Sequence, residues 1–349
     1  MMTCNNRLAT KSLCAATAIL GIAGASFGQT VSLTGAGSTF AYPLYSKWFD
    51  EYHKLDPNAQ INYQSIGSGG GIRQVTEGTV DFGATDGPMT DDQIKAFKEK
   101  RNCGVLHFPT ALGGVVPTYN IAGVTGVLNF TPEALAGIYL GKITKWDDPE
   151  IAKANPDVKL PNANIVVAHR SDGSGTTYTW VDYLAKVSPE WKSKVGVATS
   201  VNWPVGLGGK GNEGVTGLVK QTPNSIGYVE LIYAAQNKLL AGKVKNKAGT
   251  FVDATLDSVT AAAEAASKDM PDDFRVSITN ADGAAAYPVS TFTWLLIPEE
   301  IKDQAKLKVI KAMLAWALDK GQALTTPLDY APLPKEVVAK EVKAIDLIH

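Results

Sequence analysis

Cysteine and histidine are scarce in this sequence, with three and four among 349 residues. Cys4 and Cys14 fall in the N-terminal segment discussed below, so an exported chain would keep Cys103 alone and could form no internal disulfide. The four histidines show no metal-ligand spacing such as H-E-x-x-H. We therefore predict neither a disulfide scaffold nor a metal site, and no cofactor.

No excess of either charge is present, because 33 basic residues face 34 acidic ones and the net charge is -1. This balance argues against a nucleic-acid surface and against a polybasic membrane anchor. A nucleotide loop is absent as well. In GLGGKGNEG, Gly211 follows Lys210 at the position where a P-loop needs Ser or Thr.

Long hydrophobic runs are also lacking: a membrane-spanning helix needs about 20 apolar residues, and no run here reaches that length. Residues 1–28 instead read as a signal peptide. Arg7 and Lys11 precede the short apolar core SLCAATAILGIAGASF, which ends in a small-x-small pattern before Gln29. Cys14 follows Lys-Ser-Leu, a poor context for lipid attachment. The prediction is a soluble periplasmic protein that is not a lipoprotein.

Glycine, in contrast, is abundant, and its clusters separate strand-like runs from helical patterns. VSLT leads through GAGST into FAYPLYSKWFDEYHKL, and INYQSI leads through GSGGG into IRQVTEG. VDFGAT ends at Asp86, with Thr90 as a helix cap before DDQIKAFKEK, and NIVVAHR leads through SDGSG into TTYTWVDYLAKV. This alternation predicts an α/β fold with mostly parallel strands. The first helix should bury a face that carries Phe40, Leu44, Trp48, Tyr52 and Leu55.

Polar residues follow these four strands at the positions where ligands bind in open α/β sheets. Helix N-termini there present unpaired N–H groups and a partial positive charge, which suit an anion. The residues at the four positions are Thr39, Ser68, Asp86, and Arg170 with the run from Ser174 to Thr176. Their coincidence at equivalent strand ends predicts a site for a small oxyanion.

Each motif taken alone has an ordinary structural explanation. GSGGG is more often a mobile loop than an anion cradle, and Asp86 before Gly87-Pro88 is typical of a turn. Asp172 could cap the helix that follows it, or could pair with Arg170 in a purely structural ion pair. A hydrolase with Ser174 as nucleophile is a further alternative, although the sequence offers no placed base. A surface adhesin on this fold is another.

Several ordered motifs are similar to those of a known family. TGAGSTF, IGSGGG, DFGATD, RSDGSGTT, WPVGLGGKGNEGV and IGYVE, with KITKWDDPEI and LDYAPLP, closely resemble periplasmic phosphate-binding proteins of ABC phosphate importers. The resemblance implies a type II periplasmic binding protein, in which two α/β lobes close on one phosphate ion. The family's ligands fall on Thr39, Phe40, Ser68, Asp86, Arg170, Ser174, Gly175 and Thr176. Asp172, two residues from Arg170, is well placed to fix the guanidinium of Arg170.

The same resemblance implies the organisation of the chain and its partners. Residues 29–115 and 290–349 should form a discontinuous first lobe, and residues 116–289 the second. The helix in AKLKVIKAMLAWALDKG, with Leu307, Ile310, Leu314 and Leu318 on one face, should pack on the first lobe. A monomer would bind inorganic phosphate and deliver it to an inner-membrane permease with its ATPase subunits. It would not be an enzyme.

The charge of these residues predicts how the site would select its ligand. Arg170 contributes one positive charge, and Asp86 and Asp172 one negative charge each when ionised, so neutral donors should do most of the binding. Ionised Asp86 could accept a hydrogen bond from a P–OH group, whereas sulfate has no proton to offer near neutral pH. Arsenate, which protonates much as phosphate does, remains an alternative ligand.

Overall fold

The structure, a computed structural model, describes residues 1–2, 30–267 and 270–349, so the predicted signal peptide lies almost wholly outside the described residues. Within the part described, no helix combines the length and apolar character needed to cross a membrane. The strands are β1 Val31–Gly37, β2 Ala59–Ser65, β3 Phe82–Thr85, β4 Val105–Asn120, β5 Asn129–Phe130, β6 Val166–Arg170, β7 Leu207–Gly209, β8 Ser225–Glu230, β9 Leu240–Ala241, β10 Lys243–Lys245, β11 Phe251–Val252 and β12 Ser290–Pro298. The helices are α1 Tyr42–Leu55, α2 Ser68–Glu77, α3 Asp91–Arg101, α4 Pro132–Tyr139, α5 Pro149–Ala152, α6 Gly175–Val187, α7 Pro189–Lys194, α8 Gly211–Gln221, α9 Leu231–Gln236, α10 Leu256–Ser267, α11 Gln304–Leu318 and α12 Lys335–Ala344, with 3₁₀ turns at Lys320–Leu324, Thr326–Leu328 and Ile345–Leu347.

One curled sheet runs through both lobes in the order β2-β1-β3-β12-β4-β8-β6-β7, with β9 also paired to β4. β1 runs parallel to β2 and β3, and β6 runs parallel to β7 and β8. The antiparallel pairings of this sheet are those of β4 and β12. The predicted α/β fold with parallel strands is therefore confirmed, and two antiparallel strands join its parallel halves.

The long strand β4 changes partners along its length. It pairs with β12 from Val105 to Gly114 and with β8 from Val115 to Asn120. Its residues are almost all buried, as are those of β12. β4 and β12 therefore carry the chain between the two lobes, and the change of partner supports the predicted lobe boundaries, which stay a prediction.

The helices that cover the first parallel group follow their sequence patterns with two exceptions. In α1, Leu44, Trp48 and Tyr52 are buried, but Leu55 is 63% exposed because the helix ends there. In α2, the helix begins at Ser68, so the glycines predicted to form a loop make its first turn instead.

Two further helices behave as their residues predict. In α3, Thr90 caps the helix in a reciprocal box with Gln93. α11 contacts β1 and α1, burying Ile310, Leu314 and Leu318, while Leu307 is half-buried.

Gly71 shows why α2 begins within a glycine run. A Cβ atom at Gly71 would lie 2.5 Å from both the Ala36 carbonyl oxygen and the Gly37 Cα. These are backbone atoms of β1 that cannot move aside, so only glycine lets α2 pack against the strand ends. The run thus serves close packing of the helix N-terminus.

We expect Gly71→Ala to lower the free energy of unfolding by about 2 kcal/mol or more, because the new methyl group overpacks against β1. Gly70→Ala is the matched control, since a Cβ there would meet the flexible end of Ile66. It should be neutral or stabilising by up to about 1 kcal/mol. Urea unfolding followed by circular dichroism measures both, and equal losses in the two variants would contradict this account.

Candidate oxyanion-binding site

The eight predicted ligand residues lie at strand ends or helix starts and are buried, whereas Asp172 is half-buried in the turn between β6 and α6. Thr39 and Phe40 follow β1, Asp86 follows β3, and Ser68 opens α2. From the other half of the sheet, Arg170 ends β6, Ser174 caps α6, and Gly175 and Thr176 form its first turn. The fold thus brings the carboxyl ends of parallel strands from both halves to one place.

Short contacts join the residues of the first parallel group of strands directly to the start of α6. A Cβ at Gly175 would lie 2.5 Å from the backbone nitrogen and Oδ2 of Asp86 and from Ser68 Oγ, so the start of α6 abuts both residues. The Gly69 N–H donates to the Gly173 carbonyl at 2.9 Å. The N-termini of α2 and α6 therefore converge, and their first N–H groups have no intrahelical partner.

Asn212, at the start of α8, bridges the groups through its side chain. Its Nδ2 donates to Thr39 Oγ1 at 2.8 Å and to Thr176 Oγ1 at 3.1 Å, and its backbone N–H also donates to Thr39 Oγ1. Sequence reasoning missed this residue. Lys210 of the GLGGKGNEG motif is exposed, whereas Asn212, two residues later, reaches the site.

Two tyrosines hold the turn after β1 in place. Tyr233 Oη donates to the Thr39 carbonyl and Tyr330 Oη donates to the Phe40 carbonyl, each at 2.5 Å. Both hydroxyls come from elements far along the chain, so no local pattern around Thr39 indicates them. The two tyrosines thus occupy the carbonyl groups of Thr39 and Phe40 and fix the path of this turn.

Arg170 and Asp172 form a bidentate ion pair. Arg170 Nε lies 2.8 Å from Asp172 Oδ1, and Nη2 lies 2.6 Å from Oδ2, while Nη1 is directed to Thr176 Oγ1 at 3.4 Å. Burial acts to raise the pKa of Asp172, but the hydrogen bonds and charge of Arg170 and the Gly211 N–H outweigh it and lower that pKa. The pair fixes the guanidinium plane and leaves one edge of it facing α6.

This geometry decides between the two roles considered for Asp172. The cap of α6 is Ser174, whose Oγ accepts from the Thr177 N–H at 3.0 Å, so the capping role of Asp172 is wrong. His169 precedes Arg170 on β6, so the two side chains point to opposite faces of the strand, and His169 stacks on Trp203 with ring centroids 4.9 Å apart.

Asp86 is a buried carboxylate, 1% exposed, with hydroxyl donors around it. Its Oδ1 accepts from Ser38 Oγ and from Thr293 Oγ1, the latter at 2.9 Å, and Ser68 Oγ lies 3.4 Å from Oδ2. Burial raises its pKa to about 6, although the Ser38 and Thr293 hydrogen bonds, the Arg170 charge and the Ser68 hydroxyl all act to lower it.

Ser38 and Thr293 were also missed from sequence. Ser38 lies inside the GAGST motif, directly before Thr39, and Thr293 is one of several hydroxyl residues on β12. Cys103 packs against a small cluster that includes Met89 and Phe97, away from these residues. Within the described part of the chain, no group of three His, Cys, Asp or Glu side chains is arranged to hold a metal.

The raised pKa of Asp86 makes its charge unfavourable for the folded state without ligand. Stability from this group is fully present below about pH 4 and is lost as the pH rises through about 6. Asp86→Asn should therefore stabilise the ligand-free protein near pH 7.5 by up to about 3 kcal/mol, and should have no such effect near pH 4. Urea unfolding at the two pH values measures this.

Asp157→Asn, at an exposed aspartate, is the matched control and should change little at either pH. An Asp86→Asn protein no more stable than the parent near pH 7.5 would contradict the destabilising role of the ionised carboxylate.

A two-lobe α/β fold with polar residues converging between the lobes is the architecture of periplasmic binding proteins. Residues 24–319 match the model of the PBP superfamily domain. The phosphate-binding protein PstS of Xylella fastidiosa strain Temecula1 is 45% identical over 317 residues, covering 90% of this chain and 85% of that protein. PstS of Pasteurella multocida strain Pm70 is 44% identical over 326 residues, covering 91% and 93%. This chain therefore belongs to the PstS family of phosphate-binding proteins.

A solved structure has the same fold. A phosphate ABC transporter substrate-binding protein from Clostridium perfringens, described as putative and as holding bound phosphate, superposes with a TM-score of 0.64 at 20% identity. The match covers 87% of this chain and 100% of that one.

Proposed function

We propose that this protein binds one inorganic phosphate ion between its lobes, in the periplasm, and delivers it to an ABC-type phosphate importer. Membership in the PstS family supports this role. So does the buried carboxylate of Asp86, which stands against the N-terminus of α6 among hydroxyl donors. An anion site containing an ionised carboxylate suits a ligand that carries its own proton.

The donors proposed for phosphate come from both lobes. They are the N–H groups of Thr39 and Phe40 after β1 and of Gly175 and Thr176 at the start of α6, the guanidinium edge of Arg170 that Asp172 does not contact, and the hydroxyls of Thr39, Ser68, Ser174 and Thr176. Since Asp172 already offsets the charge of Arg170, the neutral N–H and hydroxyl donors contribute most of the affinity. The proposed ligand residues are Thr39, Phe40, Ser68, Asp86, Arg170, Ser174, Gly175 and Thr176.

Asp86 provides the selectivity in this proposal. With phosphate, its carboxylate accepts a hydrogen bond from P–OH. With sulfate, two acceptors would face each other in a buried site, at a cost of about 1–3 kcal/mol or more. Asp86 thus acts mainly by rejecting oxyanions that lack a proton.

The chain's lobes, its export, its membrane partner and its lack of catalysis also belong to the proposed function. We infer lobes of residues 29–115 with 290–349 and of residues 116–289, an exported monomer cleaved near residue 28, and docking to a membrane permease with ATPase subunits. We also infer a binding protein without catalysis, because Ser174 Oγ serves as the helix cap by accepting from the Thr177 N–H. That hydrogen bond is structural and does not activate a nucleophile.

Isothermal titration calorimetry of phosphate-free protein with phosphate and then sulfate tests the function. We expect tight one-to-one binding of phosphate and no heat from sulfate near neutral pH. Arg170→Ala should lower the affinity for every oxyanion by about 100-fold or more, because it removes a charged donor and leaves Asp172 unpaired. Asp86→Asn should weaken the preference for phosphate over sulfate.

Arg73→Ala, at an exposed arginine of α2, is the control for the loss of one positive charge and should leave phosphate affinity unchanged. Binding of neither ion by the parent protein would overturn the proposed function. An unchanged preference in Asp86→Asn would overturn the role of Asp86 alone.

Salt should affect phosphate affinity only weakly. The site is buried and its net charge is small, so raising the ionic strength from about 20 mM to about 500 mM should change the dissociation constant by no more than about threefold. Titrations in sodium chloride measure this. A loss of affinity of about tenfold or more over that range would indicate an open site held by net charge.

A further inference from the structure

The two oxygens of the Asp86 carboxylate have different surroundings. Oδ1 accepts from two buried hydroxyls, those of Ser38 and Thr293. Oδ2 has Ser68 Oγ at 3.4 Å, a long contact, and faces the start of α6 at Gly175. One oxygen is therefore saturated by the protein, and the other is directed toward the proposed ligand position.

Ser38 is oriented as a donor by the backbone around it. Its side chain is 0% exposed, and its Oγ accepts from the Ala41 N–H at 3.1 Å. Its own N–H donates to the Ala84 carbonyl at 3.0 Å, which fixes the residue beside the end of β3. Because the oxygen already accepts from Ala41, the hydroxyl proton is available for Asp86.

Thr293 reaches Asp86 from a different element. It lies on β12, the strand that joins the two lobes, and is also 0% exposed. Its Oγ1 lies 2.9 Å from Asp86 Oδ1, against 3.4 Å from the Thr85 carbonyl, so the carboxylate is the closer acceptor. Asp86 is thus held by hydroxyls from two elements, Ser38 in the turn after β1 and Thr293 on β12.

We propose that Ser38 and Thr293 are specificity-determining positioning residues, whose hydroxyls keep Asp86 ionised and leave Oδ2 alone to accept the proton of the ligand. The inference rests on the proposed function of phosphate binding. Neither residue is a proposed ligand of phosphate, but their hydroxyls set the pH range over which the site rejects oxyanions that carry no proton.

The other ionisable groups facing Asp86 do not replace these hydroxyls. Arg170 on β6 is a permanent cation that pairs with Asp172. Burial raises the pKa of Tyr45, Tyr63 and Tyr330 above the ordinary value, so these phenols are uncharged near pH 7. Burial also raises the pKa of Glu230 well above its ordinary value, which favours its neutral form. Burial already brings the pKa of Asp86 to about 6, so the loss of one hydroxyl would move it further into the neutral range.

Sulfate is the informative probe, because its own charge does not change near neutral pH. Once Asp86 is protonated it can donate to sulfate, so sulfate binding should appear as the pH falls through the pKa of Asp86. We expect Ser38→Ala and Thr293→Val to move that onset up by about one pH unit, which is about tenfold tighter sulfate binding at a fixed pH above the onset. Calorimetric titrations between about pH 5 and about pH 8 measure the onset.

The control variants separate this role from a general structural one. Thr293→Ser keeps the hydroxyl and should restore the parent profile. Thr291→Val removes a neighbouring hydroxyl that donates to the backbone oxygen of Asp86 at 3.1 Å, and should leave the onset where it is. In an Asp86→Asn background, Ser38→Ala should produce no shift.

Each outcome decides a separate point. A parent protein that binds no phosphate would remove the proposed function itself. Phosphate binding with superimposable sulfate profiles in the parent and in Ser38→Ala would overturn this inference and leave the function intact. If Thr293→Val does not fold, as judged by circular dichroism, Ser38→Ala decides the question by itself.

Discussion

The structure of the candidate site depends on a carboxylate that has been withdrawn from water. Asp86 lies at a strand end, is 1% exposed, and meets the start of α6. Burying a carboxylate is unfavourable unless donors surround it. Ser38, Thr293 and Ser68 supply them from three elements, so the position of Asp86 constrains the turn after β1, the start of α2 and the path of β12 together.

The crossover strands explain how residues so distant in sequence come together. β4 pairs with β12 over its first part and with β8 over its second, so one continuous sheet joins the two parallel groups. In each group the strand ends meet the helices that follow them. A single sheet with two antiparallel connections therefore places the N-termini of α2 and α6 opposite each other, where a small anion can use both.

The ion pair with Asp172 changes what Arg170 contributes to the site. Arg170 alone would bring one unpaired positive charge into the cleft, but its bidentate contact with Asp172 offsets that charge and fixes the orientation of the guanidinium. The remaining edge of the guanidinium is a directed donor more than a source of net charge. In the proposed function, such a site would discriminate between oxyanions by geometry and by the positions of protons.

Local patterns in the sequence determined the alternation of strands and helices, the cap at Thr90, and the strand-end placement of Thr39, Ser68, Asp86 and Arg170, because periodicity and turn chemistry act over a few residues. The ordered motifs also indicated the family. Only the tertiary structure decided that Asn212 bridges Thr39 and Thr176, that Ser38 and Thr293 hold Asp86, and that the GSGGG glycines begin a helix. Each of these depends on a partner from a distant part of the chain, and hydrogen bonding and close packing between distant segments leave no periodic signal in a single sequence.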